Sequence, residues 1–173
     1  MCSSDLSLDG SGVLKVAVSV NPDPDALRRM ADAGFDRFQV HFPLSVPKNR
    51  LKEWSVAVTP RRLWMAPRIR RDESFPLDLL PFADTFLIDG FSEDAFGGTG
   101  KTADWNMYDR LRRAHSNKFW ILAGGLDPDN LRRCMEQARP DGVDLNSGVE
   151  TNPGAKDHAK LRRAWEILNP TTE

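Results

Sequence analysis

Short apolar runs alternate with amphipathic stretches along almost the whole chain. Residues 14–20 (LKVAVSV) are rich in β-branched side chains and are bounded by Gly12 and by Asn21-Pro22, which marks a buried strand. Asp23-Pro24 then offers a capping carboxylate and a proline suited to a first helical turn, and Gly34 stops the helical stretch 26–33. The same alternation predicts a strand at 37–41 (RFQVH) and a helix within 48–58. It continues with a strand at 63–69, whose ladder Pro67 should end, a short helix at 77–82 and a strand at 85–89 (TFLID). A helix from Asp104 to His115, a strand at 118–123 (KFWILA), and a helix opened by Asp127-Pro128 and reaching Ala138 follow. The last strand is expected at 142–146 (GVDLN), and Asp157 caps a final helix ending at Leu168. Six strand-then-helix units force parallel pairing with right-handed crossovers, an α/β fold. A doubly wound sheet and part of a (βα)8 barrel both satisfy this pattern, and periodicity does not choose between them.

Composition narrows the partners more than the fold. With 24 Lys+Arg against 25 Asp+Glu in 173 residues, the formal net charge is −1, which gives no reason to expect nucleic acid or an anionic membrane. Six Arg-Arg pairs are spread along the chain and form no single basic stripe. No apolar run approaches the roughly 18–20 residues of a membrane span. Residues 1–12 (MCSSDLSLDGSG) lack the basic and apolar regions of a secretory signal, so a cytoplasmic protein is expected. That stretch reads as an unstructured tail or a non-native leader, and 13–170 as one domain. Cys2 and Cys134 are too few and too far apart for a disulfide framework or a cysteine zinc site.

In parallel α/β folds chemistry gathers at the carboxyl ends of the strands and in the loops after them. Those positions hold Gln39, His41, Arg68, Asp89, the loop 97–101 (GGTGK), Gly124-Gly125, Asp144 and Asn146-Ser147-Gly148. Backbone amides at Gly124-Gly125 after one strand and at Ser147-Gly148 after the next could converge on one anion, so a small phosphorylated ligand is expected. FGGTGKT ends like a nucleoside-triphosphate loop, but Ala95 stands where that pattern needs its first glycine. A glycine-rich lid over the strand ends is the better reading of this segment.

Three stretches, DTFLIDGFSEDAFGGTGKTADW, ILAGGLDPDNL and GVDLNSGVETNPGAKDHAKL, closely resemble the phosphoribosylanthranilate isomerase family. KVAVSVNPDPD and FQVH are similar to that family's third and fourth strands. The resemblance runs from about residue 14 to 168 and implies a (βα)8 barrel represented by its strands three to eight, an incomplete barrel. It implies an Amadori rearrangement of N-(5-phosphoribosyl)anthranilate in tryptophan biosynthesis, with no metal or organic cofactor. Asp89 matches the family's general acid. Gln39, His41, Arg68 and Asp144 would line the substrate pocket, and Gly124, Gly125, Ser147 and Gly148 would hold the phosphate. Phe42 stands where the family has a glycine, so the loop after that strand should differ. The family's base is a cysteine in a K-x-C-G block near its first strand, which is absent from these 173 residues. The chain alone is therefore expected to be inactive.

Several of these positions carry a plainer reading. Asp104 opens a helix and suits an N-cap; Asp144 could be a structural hydrogen-bond partner at the mouth. Cys134 falls inside a helix and reads as a buried structural thiol. The tryptophans read as packing residues. A non-catalytic phosphate-binding module is the alternative function. A histidine-synthesis barrel isomerase fits less well, since it would need an aspartate where this chain has Pro67-Arg68.

Overall fold

The computed structural model describes residues 12–70, 73–89 and 105–170. The chain runs β1 (Val16–Val20), α1 (Pro24–Asp32), β2 (Arg37–Pro43), α2 (Lys48–Val58), β3 (Leu63–Arg68) and β4 (Thr85–Asp89). It continues with α3 (Trp105–Ala114), β5 (Phe119–Ala123), α4 (Leu131–Gln137), β6 (Gly142–Val143), a hairpin of β7 (Glu150–Asn152) and β8 (Ala155–Lys156), and α5 (His158–Leu168). Strands β1 to β6 form one sheet in chain order, every neighbouring pair parallel. A doubly wound sheet reverses its strand order at a switch point. This sheet never reverses, so the barrel branch of the two expected architectures is the one observed.

The expected caps set the helices. Asp23 accepts from the Asp25 amide with Pro24 in the first turn of α1, and Asp157 accepts from the amides of Ala159 and Lys160 at the start of α5. Alternation sends Phe38, Val40, Phe42, Leu63 and Met65 outward into the main core beneath the helices. The opposite face carries a smaller cluster of Ala66, Leu87, Ile121 and Ala123 with Trp64 against it. Beside that cluster, Val18 is 62% and Val20 70% exposed on β1. Among the described residues the outer edges of β1 and β6 pair with no further strand.

One expectation holds on one side only and three are corrected. Pro67 does not end the β2–β3 ladder, where it pairs with Phe42 and the pairing continues to Pro43 and Arg68. The Phe38 amide donates to Arg62, so even positions of β3 face β2 and the missing Pro67 N–H faces β4, where the ladder stops after Met65 and Phe86. The strand expected at 142–146 shrinks to Gly142–Val143. The helix expected at 77–82 is a 3-10 turn, Leu77–Leu79. Trp165 is 67% exposed on α5 rather than packed, whereas Trp54, Trp105 and Trp120 are buried as expected. Phe42, at the family's glycine position, packs edge-on against Trp54 at 5.4 Å, and Trp54 donates to the Pro22 carbonyl.

Candidate active site

Parallel pairing lines up the strand ends in rows. His41 pairs with Val20 on one side and Ala66 on the other. One row further toward the carboxyl end, Pro43 pairs with Arg68 and Asp89 with Ala123. The charges of His41, Asp144 and Arg68 all act on Asp89, and the Asp144 amide donates to the Leu122 carbonyl at 3.0 Å, which keeps Asp144 beside the end of β5. Gln39, His41, Arg68, Asp89 and Asp144 thus occupy one face of the sheet at one rim. Gly124 directly follows β5, so the glycine turn stands at the same rim.

The charges at this rim sense one another. Partial burial raises the Asp89 carboxyl above its ordinary value; Asp144 adds to that rise, while His41 and Arg68 pull against it. Burial lowers His41 from its ordinary value, Arg68 adds to that, and Asp89 with Asp144 oppose it. Because the folded-state value of Asp89 is raised above 3.8, the stability it contributes is present below that value and lost as pH rises through the folded-state value. Asp89→Asn carries no such dependence. It is expected to melt higher than the parent at neutral pH and level with it in acid, in thermal melts from about pH 3 to pH 8. A parent and variant whose melting temperatures track each other across that range would contradict the assigned environment.

The two glycine turns meet. Gly124 and Gly125 sit at φ 90° and 62°, a region that side-chain-bearing residues enter only with strain. Asn130 donates to the Gly125 carbonyl at 2.8 Å and accepts from the Asp127 amide at 3.1 Å. Asp127 in turn accepts from the amides of Asp129 and Asn130. Asp127 therefore closes a turn instead of opening the helix, which starts at Leu131 with Asn130 at the cap position. A Cβ built on Gly148 would lie 2.0 Å from the Leu126 carbonyl oxygen, so the turn after β6 rests directly on the turn after β5. Gly125 and Ser147 are exposed, and nothing lies within 4 Å of a Cβ built on Gly125.

Lys156 fixes the second turn from the hairpin. Its Nζ donates to the Asn146 carbonyl at 3.0 Å, the Asn146 side chain at 2.9 Å and Glu150 at 2.9 Å. Asn130 and Lys156 did not emerge from the strand-end reading because neither ends a strand. Their signals were the Asx-turn run DPDN and the Asn-Pro-Gly turn before Ala155-Lys156.

Cys134 is fully buried on α4, and burial pushes its thiol up to about 11. The lid loop 97–101, Asp104 and Cys2 lie outside the described residues. Among the described residues, no group of three or more His, Cys, Asp or Glu is placed to hold a metal ion, and no helix is long and apolar enough to cross a membrane.

The family model described as N-(5'phosphoribosyl)anthranilate (PRA) isomerase matches residues 5–166. The N-(5'-phosphoribosyl)anthranilate isomerase of Aquifex aeolicus is 33% identical over 156 residues, 90% of this chain and 72% of that protein. The Crocosphaera subtropica enzyme of the same name is 48% identical over 85 residues, 49% of this chain and 39% of the relative. Among solved structures, phosphoribosyl anthranilate isomerase from Thermotoga maritima superposes with a TM-score of 0.68 at 26% identity, covering 90% of this chain and 72% of that one. Six parallel strands in unbroken order are then a curled part of that barrel. By the match to residues 5–166 and the likeness to the Aquifex relative, this chain belongs to the N-(5'-phosphoribosyl)anthranilate isomerase family.

Proposed function

We propose that this chain carries the acid, the sugar pocket and the phosphate grip of an isomerase. The reaction converts N-(5-phosphoribosyl)anthranilate to 1-(2-carboxyphenylamino)-1-deoxyribulose 5-phosphate in tryptophan biosynthesis. The observation that carries the reading is the shared rim: the raised carboxyl of Asp89 stands at the same end of the sheet as the touching turns at Gly124-Gly125 and Ser147-Gly148. A solved phosphoribosyl anthranilate isomerase holds reduced 1-(o-carboxyphenylamino)-1-deoxyribulose 5-phosphate, a ligand with one phosphate tail and one carboxylate.

Asp89, whose carboxyl partial burial holds above its ordinary value, gives its proton to the ribose ring oxygen as the C1–O bond breaks, which opens the sugar to a protonated Schiff base. A base then takes the C2 proton. The electron pair left behind forms the enolamine, which tautomerises to the ketone. Main-chain amides at Gly124, Gly125, Ser147 and Gly148 grip the phosphate; Gln39, His41, Arg68 and Asp144 line the sugar and anthranilate side, with the Arg68 guanidinium suited to the carboxylate. The K-x-C-G cysteine that would serve as base has no counterpart in these 173 residues, so the residues present bind and protonate but do not complete the turnover.

Titration with a deoxyribulose 5-phosphate product analogue tests the binding half. The parent chain is expected to bind it, and Gly125→Asp to lose at least about tenfold in affinity, because a carboxylate there repels the phosphate. Equal affinity in the two proteins would remove the phosphate assignment.

A further inference from the structure

On β2, Gln39 Nε2 and His41 Nε2 stand 2.9 Å apart. With its nitrogen turned toward the ring, the Gln39 amide donates, since that nitrogen shares its lone pair with the carbonyl, and the imidazole nitrogen facing it accepts. We propose that Gln39 is a positioning residue that holds His41 as the neutral imidazole with its proton on Nδ1, so that no cation forms beside Asp89. The tautomer stands on this contact alone; its value to Asp89 rests on the isomerase reading above.

Gln39 and His41 are two apart on a strand and so face the same side, and Gln39 is only 7% exposed. Protonating His41 would set an N–H at Nε2 against the amide N–H, donor facing donor across 2.9 Å. The groups facing His41 from the other strands divide. Asp89 of β4 and Asp144 beyond β6 favour its charged form, while Arg68 of β3 and burial oppose it. From β1 its paired neighbour is Val20, which carries no charge. Gln39 therefore adds to the side that keeps the ring neutral. A charged His41 would draw the Asp89 carboxyl down, and keeping the ring neutral removes that pull on the group proposed as the acid.

The experiment is a long-range proton–nitrogen correlation spectrum of the 173-residue chain with 15N-labelled histidine. Its three histidines are few enough for His41 to be assigned by its loss in His41→Asn. Near neutral pH the His41 Nδ1 resonance is expected at the protonated position and Nε2 at the unprotonated one. Gln39→Leu should return the ring to the Nε2–H form that free imidazole favours and move its titration midpoint up. Gln39→Glu, whose carboxylate accepts from Nε2–H, should move that midpoint further up and the Asp89 carboxyl 13C midpoint down. An Nε2–H tautomer in the parent overturns the proposal, whether or not the variants fold, and so does an unchanged tautomer and midpoint in Gln39→Leu. Neither result touches the isomerase reading. Loss of product-analogue binding would sink that reading and leave the tautomer standing.

Discussion

No measurable turnover of N-(5-phosphoribosyl)anthranilate is expected from these 173 residues alone. Abstraction of the C2 proton needs a base on the sugar, and the cysteine to which the family resemblance gives that role is not among them. Cys134 does not replace it. Its thiol is buried in the layer of helices outside the sheet, and with a value pushed up to about 11 it stays protonated at neutral pH. Joining the first two βα units of the Aquifex relative, of whose length this chain matches 72%, to the start of β1 is expected to bring turnover back. In that fusion Asp89→Asn should lower kcat by about a thousandfold, the scale of a lost general acid, with much less change in KM. Substrate loss followed chromatographically decides both points. Turnover by the unjoined chain would refute the missing-base argument, and a fully active Asp89→Asn fusion would remove the acid.

Gly148→Ala should be the most damaging single methyl in the rim. Its Cβ would meet the Leu126 carbonyl oxygen at 2.0 Å, the Leu126 carbonyl carbon at 2.8 Å and Asp127 Cβ at 2.9 Å. Two of those neighbours are backbone, held in a turn that Asp127 and Asn130 lock with their side chains, so no flexible side-chain tip can simply swing aside. The cost is about 3 kcal/mol, the upper part of the usual overpacking range. In a domain of this size that is a fall of roughly 6–12 °C in melting temperature. The same methyl pushes the two turns apart, so affinity for the product analogue should drop as well. Gly34→Ala is the control: at φ 86° with nothing within 4 Å it pays about 1 kcal/mol of backbone strain, far from the turns, and should leave that affinity unchanged. Equal losses in the two variants would mean that contact between the turns does not matter.

Period-two alternation is a local property, which is why it was legible along the chain. Residues 85–89 read as a strand and are one, and the side that carries Gln39 and His41 followed from counting by twos. Asp157 was readable as a cap because capping is settled within one turn of helix. Strand order was not legible, since six βα units write the same pattern for a reversed sheet and a barrel. Pro67 was legible as a ladder stop but not for which ladder: it interrupts the pairing with β4 and not that with β2, and the side is fixed by the register with β2. The strand expected at 142–146 failed for a related reason. After Val143 the chain leaves the ladder to bring Asn146 under Lys156, a contact ten residues away. The seating of Gly148 on Leu126 joins two separate turns and has no signature in either.

A sheet in which each strand is held only by the strands before and after it opens like a zipper, from its ends inward. The last tooth, β6, is two residues long and among the described residues pairs only with β5, whereas β4 pairs with β5 over five residues and with β3 over two. Local unfolding should therefore release the amides of residues 142–149 well before those of 85–89. The turns proposed to grip the phosphate are then expected to be the part of the rim that opens first. A phosphate tail bridging both turns would tie down that weakest end, so that ligand occupancy would lengthen the life of the fold where it is shortest.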